Sequence, residues 1–211
     1  VPLHFHLHAA ATSDGNVDLS RLFEGTLVDA DPAHAVTFVE NHDTQPRQAL
    51  ASTILPWFKP SAYALILLRE AGIPCVFWGD LFGTPETGDL PAVTELPLLM
   101  AARRLLAHGP QHDAFDAPDV VGFAREGDDA HPASGLAVVL SDRHAAVKRL
   151  HVGARHAGEQ WVCVLGGHGP VVVDADGGAE LEVSDGGLSV YAPAAAESEL
   201  GRSLDRLVRQ R

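Results

Sequence analysis

The sequence predicts a chain of two structural kinds, α/β followed by all-β: a segment of a (β/α)8 TIM barrel, then an antiparallel β-sandwich. Two apolar or β-branched runs, 35–39 and 73–78, are typical of parallel strands buried on both faces. Each is followed by polar residues and then by a stretch with helical spacing. Beyond about residue 109 the apolar runs are short and are separated by Gly, Asp, Pro or His clusters, which is typical of antiparallel strands.

The predicted helices of the first part lie between and after these strands. A helix is expected over 57–72, where apolar residues recur at helical spacing and Gly72 closes the pattern. Near its end, Arg69 and Glu70 are expected to be solvated or paired surface charges. A second helix is expected over 91–108. Because strand, helix and strand follow each other with polar residues at both strand ends, we predict two consecutive right-handed β-α units of a barrel.

Composition limits the classes of partner. The 211 residues carry a formal net charge of −13, and 46% of them are hydrophobic. The negative charge argues against nucleic acid and suits a neutral sugar ligand or bound cations. Since no apolar run reaches the roughly 18 residues of a membrane span, no membrane partner is predicted. Cys75 lies in a predicted buried strand and Cys163 in a later strand, so we expect two packed thiols rather than a disulfide.

Polar side chains follow the first predicted strand at once. Asn41, His42 and Asp43 stand where the run 35–39 ends. In a barrel the carboxyl ends of the strands form the catalytic face, so these side chains are expected to point into a shared pocket. Asp80 stands at the equivalent place after the second strand. Its side chain could position a substrate or stabilise a glycine-flanked turn, and both interpretations stay open.

Three segments in order carry a family resemblance. The run FVENHDTQPRQAL, the helix WFKPSAYALILLRE and the strand CVFWGDLFG together resemble the last two barrel strands of an α-amylase of glycoside hydrolase family 13. Within that family they are most similar to the liquefying bacterial, fungal and intracellular bacterial branch. The resemblance extends from residue 1 to residue 191, nearly the whole chain. We therefore divide the chain into barrel strands six to eight at 1–108, a β-sandwich at 109–196, and a terminal helix or disordered tail at 197–211.

The resemblance assigns residues 1–8 to barrel strand six and therefore to an extended conformation. His4, His6 and His8 then fall on one face of the strand. One interpretation is a metal site. We favour polar residues at the barrel edge, because no cysteine or carboxylate stands close by to complete a zinc shell.

The resemblance implies a retaining enzyme that cleaves internal α-1,4 links of starch or glycogen, with the polysaccharide or maltooligosaccharides as substrates. Such glycosidases need carboxylates because their transition state is oxocarbenium-like. Asp43 is implied to be the transition-state stabiliser, which hydrogen-bonds ring hydroxyls, while His42 binds the same ring. Helix capping by Asn41 and Asp43 is the alternative, but capping alone would not require the histidine. The other residues assigned to substrate binding are Asn41, Gln45, Trp78 and Asp80.

The catalytic apparatus is expected to be incomplete in this chain. A full barrel has eight strands, and the resemblance implies that the aspartate nucleophile and the glutamate acid/base lie upstream of Val1. The chain alone is therefore not expected to hydrolyse a substrate, and the full-length protein is expected to be a monomer. The rival hypotheses are a non-catalytic carbohydrate-binding or scaffold homologue, a maltooligosaccharide-forming enzyme or glucanotransferase of the same family, and a gene fragment with no independent function.

A calcium site is also implied by the resemblance. In the liquefying branch a calcium ion joins the barrel to the carboxy-terminal domain. Position by position, its ligands fall on the carbonyls of Gly15, Val17 and Pro118 and on the side chains of Asp119 and Asp142. Carboxylate and carbonyl oxygens are the ligands that calcium prefers. The alternative is that both aspartates are ordinary surface carboxylates in loops.

Overall fold

The computed structural model describes residues 1–84 and 90–209. Its first part alternates helices with short strands, and its second part is β-structure up to a last helix. The helices are α1 (Pro2–Thr12), α2 (Leu27–Ala30), α3 (Lys59–Leu67), α4 (Trp78–Phe82), α5 (Leu96–Leu105) and α6 (Glu197–Arg209). The strands are β1 (Val36–Phe38), β2 (Ile73–Cys75), β3 (Gln111–Ala114), β4 (Val120–Arg125), β5 (Leu136–Ser141), β6 (Ala146–His151), β7 (Gln160–Leu165), β8 (Val171–Val172), β9 (Gly178–Val183) and β10 (Leu188–Pro193).

Strands β1 and β2 form a parallel pair in which Val36 lies opposite Ile73 and Phe38 opposite Cys75. This confirms the predicted parallel neighbours, and helix α3 packs against both strands. Val36 is 60% and Ile73 is 55% exposed, and Cys75 is exposed as well. The expectations of burial on both faces and of a packed thiol at Cys75 are therefore wrong, because no third strand of the described residues joins the pair. Both cysteines are free, and Cys163 is half-buried.

Residues 1–8 belong to helix α1, so the prediction of an extended barrel strand is wrong. The helix begins at Pro2, a residue favoured at the first helical position. Its buried face is formed at helical spacing, mainly by leucine and alanine side chains. Each histidine donates from Nδ1 to a carbonyl of a different segment at 2.7–3.0 Å, which does not support a shared metal site. The pairs are His4 with Val39, His6 with Leu22, and His8 with Thr53.

The second part contains two antiparallel sheets. Six strands pair in the order β3-β4-β5-β10-β7-β8, and β6 pairs with β9. Side chains from both sheets build one core, among them Ala137 and Val139 of the larger sheet and Leu150 and Leu181 of the smaller. Trp161 is fully buried in this core. The predicted order, α/β elements followed by antiparallel β-structure, is thereby confirmed.

A second core joins the helices to the six-stranded sheet. Leu65 of α3 and Leu99 of α5 belong to the same buried cluster as Val121 and Val138 of the sheet. Helix α6 packs against α5 and buries Leu200, so the terminal segment is helical where the sequence left a helix or a disordered tail open. The last two residues of that segment lie outside the described ones. Within the described ranges, no helix has the length and apolar character needed to cross a membrane.

Candidate functional site

A tight turn follows strand β1 and carries the residues predicted for sugar binding. Asn41 Oδ1 accepts hydrogen bonds from the backbone N–H groups of Asp43 at 2.9 Å and Thr44 at 3.0 Å. The Asn41 N–H in turn donates to Thr44 Oγ1 at 3.0 Å, and Gln45 Nε2 donates to the His42 carbonyl at 3.2 Å. This is the local pattern by which an asparagine side chain fixes a turn. Asn41 therefore shapes the backbone that presents its two neighbours.

His42 and Asp43 lie side by side on this turn. His42 Nε2 is 3.4 Å from Asp43 Oδ1, and the two side chains are 82% and 57% exposed. An imidazole and a carboxylate together offer hydrogen-bond donors and acceptors of the kinds that sugar hydroxyls require. The two predicted sugar-binding residues therefore lie at the carboxyl end of a parallel strand, but their exposure contradicts the expectation that they point into a pocket formed by the described residues.

Trp78 stands at the start of α4, on the same edge of the parallel pair as this turn. Phe38 and Cys75 are opposite each other in β1 and β2, and Asn41 and Trp78 each follow three residues later. Trp78 is 70% exposed and lies tilted on Phe82, with ring centroids 4.0 Å apart. An exposed indole offers a flat apolar face on which a sugar ring can pack.

A buried ionic cluster lies beneath the turn. Lys59 Nζ of α3 contacts Asp80 Oδ1, and it makes a 3.4 Å ion-pair contact with Glu40 Oε2. Tyr63 Oη donates to Asp80 Oδ2 at 2.7 Å, and Thr44 Oγ1 donates to Glu40 Oε1 at 2.5 Å. Burial raises the pKa of the Glu40 carboxyl, although Thr44 and Lys59 counteract the shift. The cluster therefore ties the turn after β1 to helices α3 and α4.

The structure places Asp80 in this cluster rather than in a substrate site. Asp80 is 0% exposed, because its carboxylate is held inside by Lys59 and Tyr63. Direct contact of Asp80 with a ligand, as predicted from the sequence, does not fit this burial. Burial beside the Asp80 carboxylate also raises the pKa of Tyr63 well above its usual range. Sequence reasoning missed the cluster; its one signal is Lys59 within an apolar helical run, where a lysine needs a buried acid.

The two aspartates predicted to bind calcium meet at a different place, at one end of the β4–β5 pair, where Asp119 directly precedes β4 and Asp142 directly follows β5. The Asp142 N–H donates to the Asp119 carbonyl at 3.2 Å. Both carboxylate oxygens of Asp142 are buried without a hydrogen-bond partner in the described part of the chain. Burial, and secondarily the Asp119 charge, raises the pKa of Asp142 to about 6. A buried carboxylate with free oxygens beside a second carboxylate fits a hard cation.

The carbonyl residues of the predicted calcium set have other partners. The Gly15 carbonyl accepts a hydrogen bond from Arg143 Nη2 at 2.6 Å, and the Pro118 carbonyl accepts one from the Leu19 N–H at 2.7 Å. These contacts bring the loop around Gly15 next to the two aspartates, while the neighbouring Val17 packs against the hydrophobic core. The structure therefore assembles the predicted segments, with an arginine at the Gly15 carbonyl that the sequence reasoning did not include.

The fold is shared with solved structures of other proteins. An α-amylase from Malbranchea cinnamomea matches with a TM-score of 0.65 and 18% identity, over 95% of this chain and 46% of that one. The structure of AmyP in complex with maltose matches with a TM-score of 0.59 and 16% identity, over 92% of this chain and 50% of that one. In fold, the chain therefore falls in the class of α-amylase-like proteins.

Sequence comparison then gives the family. The chain is 46% identical over 195 residues to an α-amylase of Bacillus licheniformis, covering 90% of the chain and 38% of that protein. It is 45% identical to a glucan 1,4-α-maltohexaosidase of Bacillus sp. strain 707, over 90% of the chain and 37% of that protein. It is 42% identical to the cytoplasmic α-amylase of Escherichia coli K12, over 90% of the chain and 40% of that protein. The chain belongs to the α-amylase family. It spans less than half the length of these relatives, and no family profile matches it.

Proposed function

We propose that the chain is the carboxy-terminal portion of a retaining α-amylase that hydrolyses internal α-1,4-glucosidic bonds of starch or glycogen. The observation that carries the proposal is the His42–Asp43 pair at the end of a parallel strand, in a chain 46% identical to an α-amylase. In this proposal β1 and β2 are two strands of a catalytic (β/α)8 barrel. The proposed division is barrel at 1–108, β-sandwich at 109–196 and terminal segment at 197–211.

In the proposed mechanism Asp43 stabilises the transition state. A retaining glycosidase forms and hydrolyses a covalent glycosyl intermediate with two carboxyl groups, through oxocarbenium-like transition states. The Asp43 carboxylate accepts hydrogen bonds from ring hydroxyls and favours the distorted ring, and His42 binds the same glucose unit. We assign the nucleophile and the acid/base to the part of the protein that this chain does not span, since the chain covers only 38% of its Bacillus licheniformis relative.

The neighbouring residues have supporting roles in this proposal. Asn41 holds the turn, and Gln45, half-buried on the same turn, is assigned to the glucan-binding surface. Trp78 supplies an exposed aromatic face at the same edge of the sheet. Asp80 is a positioning residue, because it acts on the turn only through Lys59 and the Glu40 cluster.

We propose calcium as the ion held by Asp119 and Asp142, with the carbonyls of Gly15, Val17 and Pro118 as further ligands. The buried, unpartnered Asp142 carboxylate supports this assignment. The Arg143 guanidinium at the Gly15 carbonyl would have to share or yield that oxygen. A bound divalent cation would neutralise the two carboxylates and link the loop around Gly15 to the antiparallel sheets.

The proposed partners are α-glucans or maltooligosaccharides, with no nucleic acid or membrane and with a monomeric full-length protein. A net charge of −13 supports the exclusion of nucleic acid. A second candidate is a maltooligosaccharide-forming enzyme, which the 45% identity to a maltohexaosidase favours. Products released from soluble starch separate the two: a single dominant oligosaccharide length indicates the second candidate, and a mixture indicates the first.

The replacement Asp43→Asn in the full-length protein tests the proposal. Asparagine keeps the size of the side chain and removes its charge, so we expect kcat on soluble starch to fall about 100-fold or more. The melting temperature should change little, since the Asp43 side chain is 57% exposed. Reducing-end release and a thermal melt measure the two effects.

The matched control is Asp29→Asn, which removes one exposed negative charge from helix α2. We expect this variant to keep the kcat of the unmodified protein. An unchanged kcat in Asp43→Asn, or an equal loss in both variants, would contradict the proposed role of Asp43.

A further inference from the structure

A second group of chemically active side chains lies in the antiparallel part, formed by His112, Glu126 and His151. One potential ligand atom from each residue lies within 4.8 Å of the others. His112 Nε2 contacts Glu126 Oε1, and His151 Nε2 lies 3.9 Å from the same oxygen. The two imidazole rings are 5.0 Å apart at an angle of 86°. Three nitrogen and oxygen donors therefore converge on one small volume.

The ligand types select a class of metal. Two imidazoles and one carboxylate form a three-residue set that zinc accepts, with a fourth position left for water. Calcium and magnesium prefer oxygen ligands throughout.

The spacing of the three donors is close to that of a zinc site. Zinc bonds of about 2.0–2.2 Å place neighbouring tetrahedral ligands about 3.3 Å apart. The 3.9 Å pair would need to close by a fraction of an ångström, and the His112–Glu126 pair, now in direct contact, would need to open for an ion to bind between them. The side chains of His112, Glu126 and His151 are 39%, 24% and 46% exposed, so an ion can enter from solvent.

The three donors lie in or directly after three separate strands. His112 lies in β3, Glu126 directly follows β4, and His151 ends β6, which belongs to the other sheet. The Glu126 backbone is fixed at both ends: its N–H donates to the Pro110 carbonyl at 3.0 Å, and its carbonyl accepts from His156 Nε2 at 2.7 Å.

Gly153 also bears on this arrangement. A Cβ atom at Gly153 would lie 3.0 Å from the Glu126 side chain, so the glycine leaves room for the carboxylate. The cluster is thus built into the junction of the two sheets.

A neighbouring group, His108, Asp128 and His131, is less suited to a metal. The rings of His108 and His131 are stacked face to face, with centroids 3.5 Å apart and planes 6° apart. His108 Nε2 also contacts the Arg104 carbonyl at 3.1 Å. We therefore do not propose a metal site at His108, Asp128 and His131, and we use this group as a control.

We propose that His112, Glu126 and His151 bind one divalent transition-metal ion of the zinc class, which links the two antiparallel sheets. This site is separate from the His42–Asp43 turn and from the aspartates assigned to calcium. It does not depend on the proposed hydrolase activity, because its ligands lie outside that machinery.

The test is zinc binding by the full-length protein at pH 7.5, before and after removal of one ligand. With calcium present throughout to fill the site at Asp119 and Asp142, and with zinc about 100-fold above its dissociation constant, we expect the melting temperature to rise by about a further 3–5 °C, and magnesium at the same concentration not to reproduce the rise. His151→Gln should weaken zinc binding at least about 100-fold. Removing even a residue that only hydrogen-bonds to a metal ligand lowers the metal affinity about 10–100-fold, and His151 is proposed as a ligand itself. Isothermal titration gives the stoichiometry, and the visible absorption of bound cobalt reports a tetrahedral site.

His131→Gln is the matched control, since it removes a histidine from the neighbouring group only. We expect this variant to bind zinc as the unmodified protein does. The proposal is overturned if zinc has no effect, if His151→Gln binds zinc unchanged, or if His131→Gln abolishes the binding. In any of these cases the three residues form only an ion-pair cluster at the sheet junction.

Discussion

Asp142 shows at the scale of one residue how burial prepares a site for a cation. Its carboxylate is buried, its oxygens have no hydrogen-bond partner among the described residues, and Asp119 adds a second negative charge nearby. These effects raise the Asp142 pKa from 3.8 to about 6. A raised carboxyl pKa means that the folded protein takes up a proton that the unfolded chain releases. The resulting stability is present below pH 4 and is lost as the pH rises through 6.

Replacing Asp142 by asparagine should therefore have opposite effects with and without calcium. With a chelator at pH 8, we expect Asp142→Asn to raise the free energy of unfolding of the full-length protein by about 1–2 kcal/mol, because a buried charge is removed. At pH 5 the gain should fall to about half, since the folded carboxyl is then protonated while the unfolded one is not, and it should vanish only below pH 4. With calcium at pH 8 the unmodified protein should become the more stable one. Urea unfolding measures all three conditions; equal stabilisation of both proteins by calcium would argue against the site.

The residues of the turn after β1 could be predicted from the sequence, whereas the buried ionic cluster beneath the turn could not. Asn41, His42 and Asp43 could be assigned because a polar cluster directly after an apolar run marks a strand end. The burial of Asp80 could not be predicted, since it depends on Lys59, 21 residues away in the chain. Long-range ion pairing leaves no local pattern in a sequence.

Helix α3 and the turn after β1 are coupled through one lysine. Lys59 is 2% exposed and faces two carboxylates, Asp80 and Glu40, of which Asp80 is 0% and Glu40 is 1% exposed. Removing the lysine leaves two buried acids without a counter-charge. We expect Lys59→Met to lower the free energy of unfolding by about 3–5 kcal/mol, the usual cost of breaking a buried ion pair from one side.

Lys148→Met is the comparison for that effect. Lys148 also pairs with an aspartate, but its partner Asp116 has a side chain that is 73% exposed. Water can then solvate the remaining carboxylate, and we expect a loss of about 1 kcal/mol or less. Chemical denaturation of both variants gives the two values. If Lys59→Met costs no more than Lys148→Met, the cluster does not hold the turn.

Helix α1 marks a limit of pattern reasoning at the scale of an element. Its histidines at every second position are compatible with the strand that the family resemblance implies, while its buried Leu3, Leu7 and Ala10 follow the period of a helix. Both periods are present in so short a segment. Tertiary contacts decide between them: His4, for example, bonds the Val39 carbonyl next to β1.

At the scale of the whole molecule, the helical and the β parts are joined by a common core. Arg69, expected at the surface, lies at this junction with a side chain only 11% exposed. Its guanidinium sits 4.2 Å from the Phe23 ring centroid and 4.9 Å from that of Phe115, and it pairs with Asp113 at 2.8 Å. A cation between aromatic rings is stabilised by their π faces. The order of elements was predictable from periodicity, but this contact between distant segments was not.

The most direct test of the whole account is a crystal structure of the full-length protein with a bound maltooligosaccharide. We expect β1 and β2 to be neighbours in a closed barrel. We also expect the Asp43 carboxylate and the His42 ring to lie within hydrogen-bonding distance of the hydroxyls of one glucose unit. A glucan bound elsewhere, with His42 and Asp43 in open solvent, would contradict it.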